Sequence, residues 1–324
     1  LVLYLFGASP ALCKSFSNDK ATTMKSLNDE TYYKPYGTSL RMSDLGYSNQ
    51  NQSRINISLN SLSEYVRDLS NAILTPASSY EDIGVKVDGH YRQLNTNLLQ
   101  IENEFYSSVR PKRVAYSGER PTAALLRGGI EYVEIRSLDI NFFDPCGINQ
   151  NTMRFMEALL LYCLLLESPK LDSDELIEIS KNHTSMANYG RDPAFKLIRD
   201  RELLSIKDWA DEILDGVFSV AAEIDQHDNN ESYSGAVRLM QKLVDDPNAT
   251  PSARIISDLM EADIEFSQFT LAMAESHRDY FSMIAESSRA KHELYQDEVD
   301  ESLQRQMDIE ASDIISLDEY LSQY

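Results

Sequence analysis

The chain has 324 residues, of which 42% are hydrophobic and 25% charged, a globular composition that excludes a disordered, collagen-like or purely coiled-coil protein. Its formal charge of −22 repels nucleic-acid backbones and anionic membrane surfaces, so neither is expected as a partner. Residues 221–324 hold 23 Asp and Glu against 7 Lys and Arg, so a site for anionic substrates is expected in the nearly balanced first two-thirds.

The chain begins with the apolar letters LVLYLF followed by Gly7. This start has no initiator Met and no basic segment, which argues against a signal peptide. It reads as the end of a helix or strand that enters a loop at residues 7–10. We therefore expect a C-terminal fragment of a longer protein.

Two stretches before residue 80 differ in character. Residues 14–39 are polar and rich in Ser, Thr, Asn and Tyr, which predicts a long loop, and long loops in compact domains are often functional. The letters LSEYVRDLSNAIL at residues 62–74 predict a short amphipathic helix that ends before Pro76.

Two strands are predicted next, and both carry acids and a tyrosine. Residues 94–106 alternate so that one face holds Gln100, Glu102, Glu104 and Tyr106. Residues 130–140 alternate so that Tyr132, Glu134 and Arg136 share a face with Ile130, Leu138 and Ile140, while Glu131, Val133, Ile135, Ser137 and Asp139 share the other. A solvated antiparallel sheet shows the same pattern, so this alternative stays open.

Glu134 and Arg136 are the residues in these strands that suggest chemistry. A carboxylate can hold Mg²⁺, which prefers oxygen ligands, and a guanidinium can grip phosphate oxygens. Together they suit phosphoryl transfer, whose transition state spreads negative charge over the transferred group. The paired glycines Gly128 and Gly129 precede this strand and would let the backbone approach a ligand closely. The alternative for the pair is a simple surface salt bridge.

Two further polar stretches lie in this half of the chain, which has no phosphate-binding motif. RMSDLGY at residues 41–47 joins a base, an acid and an aromatic across a tight loop, and RPKR at residues 110–113 is a basic cluster. Each could equally be an ordinary polar turn. The sequence has no Walker A and no GxGxxG motif. The residues alone therefore indicate a nucleotide or amino-acid site without naming a reaction.

The last half is predicted to be helical. MRFMEALLLYCLLL at residues 153–166 is charged at its start and shorter than the roughly 20 apolar residues of a membrane span. It predicts a buried helix, capped by Asn151 or Thr152 and stopped by Pro169. The acidic residues 294–324 predict a solvated terminal helix pair. The three cysteines form no CxxC, which indicates reduced thiols in a cytoplasmic protein.

Five ordered stretches resemble a known family. They are LFGASPA at 5–11, SLRMSDLGY at 39–47, QIENEFY at 100–106, VRPKR at 109–113 and LRGGIEYVEIRSLD at 126–139. They resemble glutamate–cysteine ligase, or γ-glutamylcysteine synthetase, of the proteobacterial type, across the whole chain and more loosely in the acidic third. The resemblance implies an α+β, glutamine-synthetase-like fold with an antiparallel sheet forming a concave site and helices outside. Residues 1–150 would supply the catalytic sheet part and residues 151–324 the mostly helical, acidic remainder of the same catalytic unit.

The resemblance also implies the reaction and the site residues. ATP would phosphorylate the γ-carboxylate of L-glutamate, and the amine of L-cysteine would displace phosphate to give γ-glutamylcysteine, the first step of glutathione synthesis. Glu134 matches a ligand of Mg²⁺ (or Mn²⁺) and Arg136 a catalytic arginine facing the phosphates of ATP. Tyr47 and Tyr106 match tyrosines of the cysteine pocket, and Arg41 matches an arginine that grips a substrate carboxylate.

This family carries a further N-terminal part of the sheet, with a histidine and most of the metal-binding carboxylates, which is not in this chain. Glu134 alone cannot assemble a site for several metal ions, so the chain alone is expected to be inactive. Two alternatives remain open: another carboxylate–amine ligase of the same superfamily, and an inactive truncated paralogue that acts by interaction. The sequence gives no oligomeric state.

Overall fold

The computed structural model describes residues 1–17, 23–46, 55–286 and 289–323. Its helices are α1 (Val2–Phe6), α2 (Leu62–Leu74), α3 (Ser78–Glu81), α4 (Pro121–Gly128), α5 (Gln150–Leu165), α6 (Ser173–Tyr189), α7 (Ile206–Asp228), α8 (Ser232–Asp245), α9 (Pro251–Ala262), α10 (Phe266–Glu286), α11 (Arg289–Ser312) and α12 (Leu317–Gln323). Its strands are β1 (Ala11–Cys13), β2 (Lys25–Ser26), β3 (Thr31–Tyr33), β4 (Lys86–Val87), β5 (His90–Tyr91), β6 (Val109–Lys112), β7 (Tyr132–Ile135), β8 (Lys196–Arg199) and β9 (Glu202–Ser205). All the named strands pair antiparallel, and the predicted α+β class is confirmed.

The chain forms two compact units that interleave along the sequence. The first comprises Leu1–Asn49, Ser107–Lys112 and Ile130–Met273, and the second Gln50–Tyr106, Arg113–Gly129 and Ala274–Tyr324. The first unit holds a three-stranded sheet of order β1-β3-β2 and the pairs β6–β7 and β8–β9. The second holds the pair β4–β5. The division into residues 1–150 and 151–324 stays a prediction.

The core of the first unit is built largely by helices. Helices α5, α7 and α8 pack on one another and bury Phe155, Leu214 and Val217 almost completely. A neighbouring cluster joins the three-stranded sheet to α9 and α10 through Tyr33, Ile255 and other buried residues. Removing this apolar surface from water is the dominant favourable contribution to folding.

The core of the second unit forms around helix α2. This helix confirms the prediction for residues 62–74, and the Ser61 hydroxyl caps it by accepting a hydrogen bond from the Glu64 N–H. Its buried face, including Tyr65 and Leu69, packs with Leu99 and Leu125. The predicted acidic helix pair near the C-terminus is present as α11 and α12.

The prediction of a strand at residues 94–106 is wrong. This segment consists of bends and a 3₁₀ turn at Glu102–Glu104. One isolated bridge joins Asn97 to Pro76, and the Leu98 N–H donates to the Thr75 carbonyl at 2.8 Å. Polar side chains satisfy other backbone groups locally: the Gln100 side chain accepts from the Leu94 N–H at 2.7 Å, and the Asn95 side chain donates to the Gln100 carbonyl at 3.0 Å. Such bonds compete with a sheet ladder, and alternation alone does not reveal them.

Three other predictions are corrected in part. The second predicted strand is confirmed only for the four residues of β7, and the predicted loop at residues 14–39 contains β2 and β3. Helix α5 is present, but its cap is Asn149, whose side chain accepts from the Thr152 N–H, and not Asn151 or Thr152. The prediction that it is buried is confirmed only for one face of its first half, with Phe155 and Ala158, whereas Met153 is 58% and Leu164 78% exposed. No helix within the described ranges is long and apolar enough to cross a membrane.

Candidate active site

Glu134 lies on the strand pair β6–β7, and Arg136 directly follows the end of β7. Glu134 pairs with Arg110 across the two strands, and the Arg136 N–H extends the ladder by donating to the Ser108 carbonyl at 2.8 Å. The Glu134 carboxylate lies 3.4 Å from the Lys112 Nζ and 3.7 Å from the Arg136 Nε. The predicted same-face neighbourhood is therefore present, together with the ion pair that its alternative interpretation required.

The exposure of this pair leaves it able to meet a ligand. The Glu134 side chain is 38% exposed and that of Arg136 is 32% exposed. Ion pairs at the surface with such separations contribute little to stability. The two ion pairs of Glu134 are therefore weak contacts that a ligand could replace.

Arg41 joins the same region from the 3₁₀ turn Leu40–Met42. Its Nε donates to Oδ1 of Asp139 at 2.7 Å, and its Nη2 donates to the carbonyls of Arg136 at 2.9 Å and Leu138 at 2.8 Å. Arg41 thus contacts the backbone just beyond β7, in the same unit as Glu134 and Arg136. The predicted grip of Arg41 on a substrate carboxylate stays a prediction.

Asp139 is a residue of this region for which sequence analysis predicts no role. Its Oδ2 accepts from the Ala8 N–H at 2.8 Å and from the Ser9 hydroxyl at 2.7 Å, and its side chain is only 4% exposed. We call Ala8, Ser9, Arg41 and Asp139 the Asp139 clamp. Alternation offered no signal for it, because β7 ends at Ile135 and the partners of Asp139 lie far away in the sequence.

Of the two tyrosines predicted to line the cysteine pocket, the structure describes only Tyr106. Tyr47 lies outside them. Tyr106 belongs to the second unit, where it is half-buried and follows the 3₁₀ turn Glu102–Glu104 instead of lying on a strand. Their roles in substrate binding stay predictions.

The paired glycines contact protein in this structure. A Cβ on Gly128 would lie 2.5 Å from the Arg113 guanidinium carbon, and Gly129 has a φ of +76° at the end of α4. The Arg113 Nε donates to the Gly129 carbonyl at 2.6 Å. The close approach that the glycines allow is thus made here by an arginine of the basic cluster at residues 110–113.

Glu134 is the carboxylate of the β6–β7 pair that the sequence predicts as a metal ligand. Among the described residues, no group of three His, Cys, Asp or Glu is placed to hold a metal ion. Mg²⁺ is commonly bound through one or two carboxylates, with waters and substrate phosphates completing its octahedron. Glu134 fits the role of such a single ligand and does not form a cage.

Three cavities among the described residues are not lined by Arg41, Glu134 or Arg136, although Leu138 and Asp139 line the second. A mostly apolar cavity of about 340 Å³ in the first unit is lined by Leu3, Met186, Trp209 and others. Its single imidazole, His183, has a pKa lowered by burial, which favours the neutral form. Neither Arg41, Glu134 nor Arg136 lines it, so the surface of the β6–β7 pair remains the candidate site.

Comparison with known proteins identifies the family. The family model described as glutamate-cysteine ligase matches residues 1–186, and the chain belongs to this family, which confirms the resemblance of its five stretches. The glutamate–cysteine ligase of Shewanella oneidensis is 44% identical over 99% of this chain and 61% of its own length. That of Alcanivorax borkumensis is also 44% identical, over 100% of this chain and 62% of its own length.

Solved structures agree with the fold. A crystal structure of glutamate–cysteine ligase from Francisella tularensis in complex with AMP is 36% identical and has a TM-score of 0.90, covering 100% of this chain and 64% of that chain. A bifunctional glutathione synthetase from Pasteurella multocida, 22% identical with a TM-score of 0.62, shares the fold over 86% of this chain and 30% of that chain. The chain spans about three-fifths of the length of the curated relatives it matches.

Proposed function

We propose that this chain provides the phosphoryl-transfer and substrate-carboxylate groups of a glutamate–cysteine ligase acting in the cytoplasm. The observation that carries the proposal is the 0.90 TM-score over the whole chain to the AMP-bound ligase of Francisella tularensis. The placement of Arg41 and Arg136 in one region of the first unit is in line with it. The substrates are ATP, L-glutamate and L-cysteine.

The proposed reaction has two steps. An oxygen of the glutamate γ-carboxylate attacks the γ-phosphorus of ATP and ADP leaves, giving an acyl phosphate. The cysteine amine then attacks the acyl carbon, phosphate leaves and the amine loses a proton. Neither step changes an oxidation state.

The residues of this chain have distinct roles in that reaction. The Arg136 guanidinium stabilises the negative charge that spreads over the transferred phosphoryl group. Glu134 supplies one oxygen ligand to Mg²⁺, which neutralises phosphate charge when it is bound. Arg41 binds a substrate carboxylate, and the family resemblance assigns Tyr47 and Tyr106 to the binding of cysteine.

The experiment replaces the matched region of the Shewanella oneidensis ligase with this chain, and assays both this chimera and the chain alone. Product is measured as γ-glutamylcysteine, and phosphate release is followed with each substrate omitted in turn. We expect the chimera to need all three substrates and the chain alone to be inactive, because Glu134 is a single metal ligand. A folded chimera without product, or one that prefers another amine to cysteine, contradicts the proposal.

A further inference from the structure

The LFGASPA stretch at residues 5–11 marks the family but has no role in the proposed reaction. Its turn is packed backbone against backbone, because a Cβ on Gly7 would lie 2.5 Å from the Leu3 carbonyl oxygen and 2.6 Å from that of Thr38. The Ser9 carbonyl accepts from the Leu40 N–H at 2.7 Å. The turn therefore fixes the start of the 3₁₀ segment that carries Arg41.

The same turn holds the Asp139 carboxylate. The Ala8 N–H and the Ser9 hydroxyl both bind Oδ2, which leaves Oδ1 to accept from the Arg41 Nε. A carboxylate buried to this degree is tolerated when its oxygens are paired and hydrogen-bonded. Three donors from two segments bind the Asp139 carboxylate, and Arg41 Nε is one of them. The Asp139 carboxylate therefore orients the Nε side of the Arg41 guanidinium.

The other end of the guanidinium reaches the candidate site. Arg41 Nη2 donates to the carbonyls of Arg136 and Leu138, which lie just beyond β7. The backbone of Arg136 is also held from the other side, where its N–H donates to Ser108. The direction in which Arg136 presents its side chain therefore depends on Arg41, and Arg41 depends on Asp139.

We propose that Asp139 is a positioning residue of the ligase: with the turn at residues 7–9 it fixes Arg41 and, through the Arg136 carbonyl, the strand end that presents Arg136. Asp139 would act through Arg41 and not on a substrate directly. The kinetic consequence rests on the proposed function, whereas the effect on Arg41 does not.

The first measurement uses the full chain and does not depend on activity. It follows the ¹⁵Nε–¹Hε NMR signal of Arg41, assigned by its disappearance in Arg41→Lys. We expect Asp139→Asn to shift this signal to the position of a solvated guanidinium, because the charged acceptor is lost. The control is Asp144→Asn, whose carboxylate accepts from Asn141 at 2.6 Å and Asn149 at 2.9 Å and not from Arg41.

The second measurement compares the same variants in the active chimera. Misplacement of a reacting group by about 1 Å can cost roughly a hundredfold in rate, so we expect Asp139→Asn to lower kcat/KM by roughly tenfold or more at a temperature where the variant is fully folded. Asp144→Asn should lower thermal stability without that loss. Ser9→Ala, which removes one donor and keeps the Arg41 pair, should fall between them.

The outcomes separate the two proposals. An unchanged Arg41 signal in folded Asp139→Asn overturns the positioning role, whatever the activity. A shifted signal with kinetics equal to those of Asp144→Asn also overturns it, because Asp139 would then act on stability alone. If Asp139→Asn shifts the Arg41 signal but the parent chimera makes no product, the ligase proposal is contradicted. The inferred effect of Asp139 on Arg41 is then still supported.

Discussion

The Asp139 clamp and the Glu134–Arg136 pair lie at the two ends of one short stretch, and they use charge in opposite ways. In the clamp, a carboxylate with a 4% exposed side chain receives hydrogen bonds of 2.7–2.8 Å from three donors. In the pair, a carboxylate with a 38% exposed side chain has cations at 3.4 and 3.7 Å. The first carboxylate is occupied by the protein, and the second is accessible to a ligand.

The difference in exposure between Asp139 and Glu134 separates a residue fixed by the protein from one that can bind a ligand. Removing one partner from a buried charge pair leaves the other unsatisfied and is strongly destabilising, whereas exposed ion pairs contribute about 0–1 kcal/mol. Substitutions in the clamp should therefore affect folding and activity together. Substitutions in the exposed pair should affect ligand binding and leave folding nearly unchanged.

The largest expected effect on stability comes from a substitution at Gly7, next to the Ala8 and Ser9 donors of the Asp139 clamp. In Gly7→Ala the new Cβ meets two backbone oxygens at 2.5 and 2.6 Å, although the Gly7 φ of −65° suits alanine. We expect a loss of about 3 kcal/mol in the free energy of unfolding, measured by urea denaturation. The control is Gly235→Ala within α8, where a Cβ meets nothing within 4 Å and alanine should stabilise by up to about 1 kcal/mol. Equal stabilities for the two variants would contradict the packing described for the turn.

The exposed pair could be predicted from the sequence, and the clamp could not. Glu134 and Arg136 are predictable because residues two apart in a strand share a face, and the amphipathic pattern ended by Pro76 predicts helix α2 correctly. Asp139 finds its partners 98–131 positions away, at a turn and a 3₁₀ segment. No local periodicity encodes such a distant pairing.

The wrong strand at residues 94–106 has the same kind of cause. Its apolar alternation was real, and Leu99 is fully buried, but in the core around α2 and not in a sheet. Asn95 and Gln100 bind the backbone of their own segment. Side-chain competition for backbone groups decided the conformation, and composition gave only a weak sign of it.

A smaller effect on stability, with a large effect on metal use, is expected at Glu134. Glu134→Gln keeps the shape and removes the charge that Mg²⁺ prefers, so unfolding should change by less than about 0.5 kcal/mol. In the chimera we expect the Mg²⁺ concentration for half-maximal rate to rise by roughly tenfold or more, with partial rescue at high Mg²⁺. Glu131→Gln, one strand position outside β7, is the matched control. An unchanged Mg²⁺ dependence would return Glu134 to the role of a surface ion-pair partner.

The smallest effect concerns an exposed ion pair with better geometry, Glu119 and Arg127 in the second unit. Arg127 donates to both Glu119 oxygens, at 2.8 and 2.9 Å, and the Tyr116 N–H adds a bond at 2.8 Å. These contacts, the Arg127 hydrogen bond foremost, lower the pKa of Glu119 from 4.5 to about 2. Because the folded pKa lies below the unfolded one, the stabilisation is complete above about pH 4.5 and is lost as the pH falls towards about 2. The ¹³C shift of the Glu119 carboxyl, followed from pH 6 to pH 2, should give the low midpoint, and Arg127→Gln should return it towards 4.5. A midpoint near 4.5 in the parent chain would show that two-pronged geometry alone does not distinguish this pair from the looser contacts of Glu134.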